Sequence, residues 1–187
     1  MQDWTRDNGR LVSELEPNEA AVIRGLVGEI RDMLAGRAQQ APQDELAELT
    51  GMRTGPSTPP EEGVLARLLP DFIRSDRDTF EPETGEADTA GALRSLHEPE
   101  LIDHKSGVAT TVLETCPERG GTVSLTEDQA DSWLTAINDV RLALGTALGI
   151  SEDFPDEPPR DELQREHYYV YQWLTWVQDS MIQALTS

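Results

Sequence analysis

The chain has 187 residues, 37% of them hydrophobic, and its 36 acids against 15 bases leave a net charge of −21. Nucleic-acid binding draws most of its affinity from Lys and Arg that neutralise phosphates, so this balance disfavours direct contact with DNA or RNA. Residues 121–187 sharpen the point, because Arg141, Arg160 and Arg165 stand there against twelve acids. Cys116 is the only cysteine, which excludes an intramolecular disulfide and a cysteine-rich zinc site and suits a reducing compartment. No charged-then-apolar leader opens the chain, and no run of about 18 apolar residues occurs. A soluble, cytoplasmic protein without a membrane partner is expected.

Gly9–Leu15 (GRLVSEL) sets Leu11, Ser13 and Leu15 on one side and Val12 on the other, the alternation of a short strand. Pro17 then opens a helix, and Val22, Ile23, Leu26, Val27, Ile30, Met33 and Leu34 give it an apolar stripe that ends near Gly36. Residues 37–60 break the regularity with Gln, Pro, Gly, Ser and Thr around one turn of helix at Asp44–Leu49, as in a mobile loop. EEGVLARLLP, residues 61–70, is a short helix stopped by Pro70, and an acidic, mobile stretch covers 71–88. A longer helical region spans Thr89–Cys116 with Pro99 interrupting it, and Leu93, Leu96, Leu101, Val108, Val112 and Leu113 line its inner face.

The opening pattern then returns. Gly120–Leu125 reads as a second strand, and Thr126 with Gln129 three residues on forms a capping box for the next helix. Setting Leu15 against Leu125 aligns Ala20 with Ala130, Ile23 with Trp133, Val27 with Ile137, Ile30 with Val140, Arg31 with Arg141 and Leu34 with Leu144. A strand–helix unit used twice would account for this, and so in part would shared apolar periodicity; both readings stand. An acidic, proline-rich loop near 151–160 leads to a last helix over Arg160–Leu185, with Val170, Tyr171, Leu174, Val177, Met181, Ile182 and Leu185 on one face and Tyr169, Trp173 and Trp176 on an adjoining one. The whole is expected to be mainly α: a single domain over 1–187 of about five helices, with a small two-stranded antiparallel sheet.

Few residues carry chemistry. Cys116 is the candidate redox residue, although its place at a helix end beside Glu114 and Glu118 works against a thiolate and favours an inert thiol. Asn138, Asp139 and Arg141 interrupt an apolar helix and form either a contact point for a partner or an internally satisfied polar cluster. Tyr169, Trp173 and Trp176 serve as core or as interface anchors. His97, His104 and His167 lack the spacing of a metal motif, and no phosphate loop, nucleophile elbow or C-x-x-C occurs. No catalytic residue, metal or cofactor is assigned.

Residues 133–149 (WLTAINDVRLALGTALG) and 171–178 (YQWLTWVQ) resemble an actinobacterial family described as a domain of unknown function. That family includes an oxidative-stress transcriptional regulator and is often encoded beside the ClpS protease adaptor. GRLVSELEPNEAAVIRGLVGEIRDML and LARLLPD are similar to it too, so the resemblance spans most of the chain. It implies a mainly helical domain and redox-linked control of transcription through a sigma factor and RNA polymerase, switched by a C-x-x-x-C cysteine pair. Here Val112 lies four residues before Cys116 and Gly120 four after, so that switch does not carry over.

The expectation is a non-enzymatic regulator that acts through protein–protein contacts, with a sigma factor or RNA polymerase as the implied partner and homodimerisation left open. A partner of ClpS or Clp proteolysis is the second reading, and a carboxylate- or metal-dependent enzyme the third.

Overall fold

The computed structural model describes residues 1–41, 53–61, 63–73, 84–151 and 158–187, with the side chains of 84–87 left aside. The helical turn expected at Asp44–Leu49 lies outside these residues, as do most of the acidic stretch and the middle of the 151–160 loop. In chain order the elements are β1 (Thr5–Asp7), β2 (Arg10–Leu15), α1 (Pro17–Ala38), α2 (Gly63–Leu68), α3 (Thr84–Thr115), β3 (Gly121–Leu125), α4 (Glu127–Leu148) and α5 (Glu162–Thr186). The protein is mainly α, with five helices among the described residues and one small antiparallel sheet of order β1-β2-β3.

The sheet has three strands where two were expected. Asn8 and Gly9 both adopt positive φ (49° and 77°), the conformation of a tight two-residue hairpin turn, and fold β1 back onto β2. β1 was hidden because its three residues are all exposed and show no apolar alternation. β2 behaves as its pattern dictates, with Leu11, Ser13 and Leu15 buried.

β2 pairs with β3 in a register centred on Ser13 opposite Val123. Those two positions are themselves equivalent when Leu15 is set on Leu125, so the pairing obeys the same relation as the helices that follow. Both helices have 22 residues. Ala20, Ile23, Val27, Ile30 and Leu34 of α1 and Ala130, Trp133, Ile137, Val140 and Leu144 of α4 are all buried. Each helix also starts alike: the Glu16 amide donates to Glu19 Oε2 at 2.7 Å, and the Thr126 amide to Gln129 Oε1 at 2.9 Å.

α3 runs straight through Pro99, which had been expected to interrupt it. Proline removes the amide that would satisfy the carbonyl four residues back, here Ser95. The Gly55 amide supplies the missing donor at 2.7 Å, and Ser95 Oγ returns a hydrogen bond to Gly55 O at 2.9 Å. A β-carbon at residue 55 would come within 3.1 Å of the Pro99 ring, which would have to give by a few tenths of an ångström to admit it. Arg53 continues the contact by pairing with Asp103 at 2.7 Å. The outer segment thus stands in for the helix's own missing hydrogen bond.

The inner face of α3 also differs from expectation. Its first half buries Arg94 and Glu98, while Leu96 is 52% exposed. α1 supplies a cation, Arg37, opposite Glu98, and that pairing turns a charged edge inward. α1 packs on α3, α3 and α2 on α4, and α4 on α5. On α5 the buried seam is Leu174, Val177, Gln178, Ser180, Met181 and Ala184, which leaves Ile182 outside at 48% exposure. No helix among the described residues is long and apolar enough to cross a membrane.

Candidate functional site

Cys116 follows the end of α3 and is 2% exposed. Arg24 of α1 reaches across to donate from Nη1 to Leu113 O at 2.5 Å and to Cys116 O at 2.6 Å, which satisfies the last carbonyls of α3. Burial outweighs this nearby cation and pushes the thiol up to about 11. A folded-state value above the free-thiol value contributes stability below about pH 9 that is lost as pH rises towards 11. The same shift makes the thiolate scarce at neutral pH. Iodoacetamide should therefore alkylate Cys116 at least about a hundredfold more slowly in the folded chain than in urea-unfolded chain, as followed by mass spectrometry. Equal rates would place the thiol in an open, accessible state.

The three polar residues of α4 go separate ways. Asn138 is exposed. Asp139 is buried and accepts from Lys105 Nζ of α3 at 2.6 Å. Burial raises its carboxyl above the usual value, against the pull of Lys105 and the weaker pull of His104. Arg141 leans towards α5, where Nη1 donates to Gln178 Oε1 and the guanidinium lies 5.2 Å from the centre of the Tyr171 ring. Gln178 Nε2 is in turn fixed on Leu134 O at 3.0 Å.

Tyr169, Trp173 and Trp176 recur at helical spacing along one side of α5. Trp173 packs its inner part against the core, while Tyr169 is 56% and Trp176 38% exposed. Further along the same side, Ser180 Oγ accepts from the Trp4 amide at 2.8 Å, so the N-terminal segment covers that part. The stripe is flanked on its own helix by Glu162 and Glu166, both exposed.

Sequence reasoning missed one cluster. Glu98 is fully buried between Arg37, whose Nε donates to Oε1 at 2.6 Å, and Arg94, whose Nη1 donates to Oε2 at 2.6 Å. Arg37 Nη2 also donates to Thr58 O at 2.5 Å, and Arg94 Nη2 to Asp71 Oδ1 at 2.6 Å. The network ties α1 and α3 to residues on both sides of α2. Only Arg94 and Glu98, at i and i+4 on one helix, were visible as a pair in the sequence. Among the described residues no three His, Cys, Asp or Glu side chains are placed to hold a metal ion.

The structure thus holds two separate features: an exposed aromatic stripe on α5, and a buried thiol, Cys116, packed against α1. Residues 1–185 match the model of the domain of unknown function DUF2017, and the chain belongs to that family. It is 44% identical to the oxidative stress regulator AosR of Mycobacterium tuberculosis over 97% of this chain and 84% of that protein. Identity to the putative oxidative stress regulator AosR of Mycobacterium leprae is 41%, over 97% of this chain and 85% of that one. No solved structure matches the chain.

Proposed function

We propose that this protein is a non-catalytic regulator linked to the oxidative stress response, and that it acts by holding a basic protein partner on the exposed side of α5. The observation that carries the reading is the Tyr169–Trp173–Trp176 stripe. Aromatic residues that keep large area outside a finished core are the usual anchors of protein interfaces. The acids beside the stripe and the net charge of −21 suit a cationic partner. A sigma factor, or the RNA polymerase surface it occupies, offers such a face, and the mycobacterial relatives bear the name of stress regulators. Because Cys116 is single and buried, the link to oxidants passes through the partner rather than through a disulfide of this chain.

Affinity capture of the tagged protein from its own cells, at low salt and with or without oxidant, tests this. A sigma factor or polymerase should be recovered with the wild-type chain. The exposed-residue variants Tyr169→Ala and Trp176→Ala should each weaken that recovery about 30-fold, the effect of losing an interface anchor. Failure to recover either partner in any condition would end the reading, and so would undiminished recovery with both variants.

A further inference from the structure

We propose that the cavity between α2, α4 and α5 binds a phosphate monoester carrying a flat organic body, of mononucleotide size. The cavity measures about 560 Å³, within the range of small-molecule pockets. Its lining includes Arg67 from α2, Arg141 and Gly145 from α4, Ile150 beyond it and Tyr171 from α5. Among the described residues, that lining holds two arginines and no carboxylate.

The state of Arg141 carries the argument. Arg37 and Arg94, the buried arginines among the described residues, both pair with carboxylates: Arg37 with Glu98, and Arg94 with Glu98 and Asp71. Arg141 is half-buried, and its partners are a neutral amide, Gln178, and the Tyr171 ring. Among the described residues its Nε is buried without a hydrogen-bond partner. A buried donor of this kind has capacity for one more acceptor, which a ligand oxygen could fill. The anchored Gln178 fixes the guanidinium without cancelling its charge, and a planar guanidinium is suited to paired bonds with phosphate oxygens. Arg67, exposed at the rim, supplies a second cation.

Gly145 explains the remaining space. Glycine inside a helix costs about 1 kcal/mol relative to alanine. A side-chain carbon there would meet Tyr171 only at an ordinary 3.7 Å, so close packing does not require glycine. Its bare backbone keeps the floor open beside the Tyr171 ring and Leu142, apolar surfaces on which a flat body can rest. Tyr171 lies two residues past Tyr169 and therefore on the far side of α5 from the docking stripe. The cavity is thus independent of the proposed partner surface, and its failure would leave that function untouched.

Calorimetry and amide NMR on the full chain, with AMP, adenosine and inorganic phosphate as probes, decide it. AMP should shift the amides of Gly145, Gly149 and Tyr171 and bind at least about tenfold more tightly than adenosine. Gln178→Glu, which sets a carboxylate against Arg141, and Arg67→Gln, an exposed change that should keep the thermal midpoint, should each weaken AMP at least about tenfold. The proposal is overturned if AMP produces no shift at about 10 mM, if adenosine binds equally well, or if Gln178→Glu leaves affinity unchanged. Binding of a phosphoserine peptide without AMP would also overturn it, and would make the cavity a docking point for a modified protein.

Discussion

Glu98→Gln should cost about 3–5 kcal/mol of stability, the loss typical when one member of a buried ion network is removed. Glutamine fits the space but leaves Arg37 and Arg94, both 4% exposed, as cations facing a neutral amide. The penalty comes from charges that keep their desolvation cost, since Arg37 loses its carboxylate and Arg94 keeps only the half-exposed Asp71, rather than from lost packing. Urea denaturation measures it, and a loss below about 1 kcal/mol would show that water reaches the cluster. A triple replacement of Arg37, Arg94 and Glu98 by apolar residues of similar volume should recover most of the loss, because the network contributes little beyond an apolar equivalent. The backbone contacts to Thr58 and Leu69 would still be missing from that variant.

Gly120→Ala should be as damaging for a different reason. Gly120 has φ +75°, and a β-carbon there would stand 2.7 Å from Leu15 O and from Pro17 N. Backbone cannot step aside as a side chain can, so the corner joining β2 to α1 would have to move away from the start of β3. A loss of at least about 3 kcal/mol is expected, of which the left-handed conformation alone accounts for about 1–2 kcal/mol. Gly9→Ala separates the two terms, since Gly9 has φ +77° with nothing within 4 Å. It should show the conformational cost only. Equal losses in the two variants would mean that the close approach at Gly120 relaxes freely.

Much of the architecture could be read from the residues because it rests on local periodicity. The stripes of α1 and α4 are spaced for helices, and Thr126 with Gln129 announces the start of α4 before any tertiary contact is known. What escaped depends on partners far along the chain. Pro99 looks like a break until Gly55, over 40 positions earlier, is seen to donate to Ser95 O. Arg37 and Glu98 lie in different helices, and no spacing rule links them. β1 differs from both, because its own three residues carry no apolar pattern and only the Asn8-Gly9 pair, a hairpin signal, marks it in the sequence.

The candidate site was legible to the same degree. The residue types of α5 announced an aromatic helix, but which aromatics stay outside depends on the N-terminal segment that reaches Ser180 and stops short of Trp176. Asn138, Asp139 and Arg141 are consecutive enough to look like one cluster. Helical geometry sends each to a different neighbour: solvent, α3 and α5. Whether Gln178 or a carboxylate would meet Arg141 could not be known without the packing of α4 on α5.

The pairing of β2 with β3 also bears on how the chain reaches its native state. Leu11 meets Leu125 and Leu15 meets Gly121, so the sheet's central ladder closes a loop that contains α1, α2 and α3. Contacts of such long sequence separation demand a large share of chain entropy before they return any energy, whereas helical turns form from neighbours. The ladder is therefore expected to form late in folding and the helices early. Substitutions confined to the ladder should then accelerate unfolding more than they slow folding, so that the sheet acts as the clasp that sets the lifetime of the folded state.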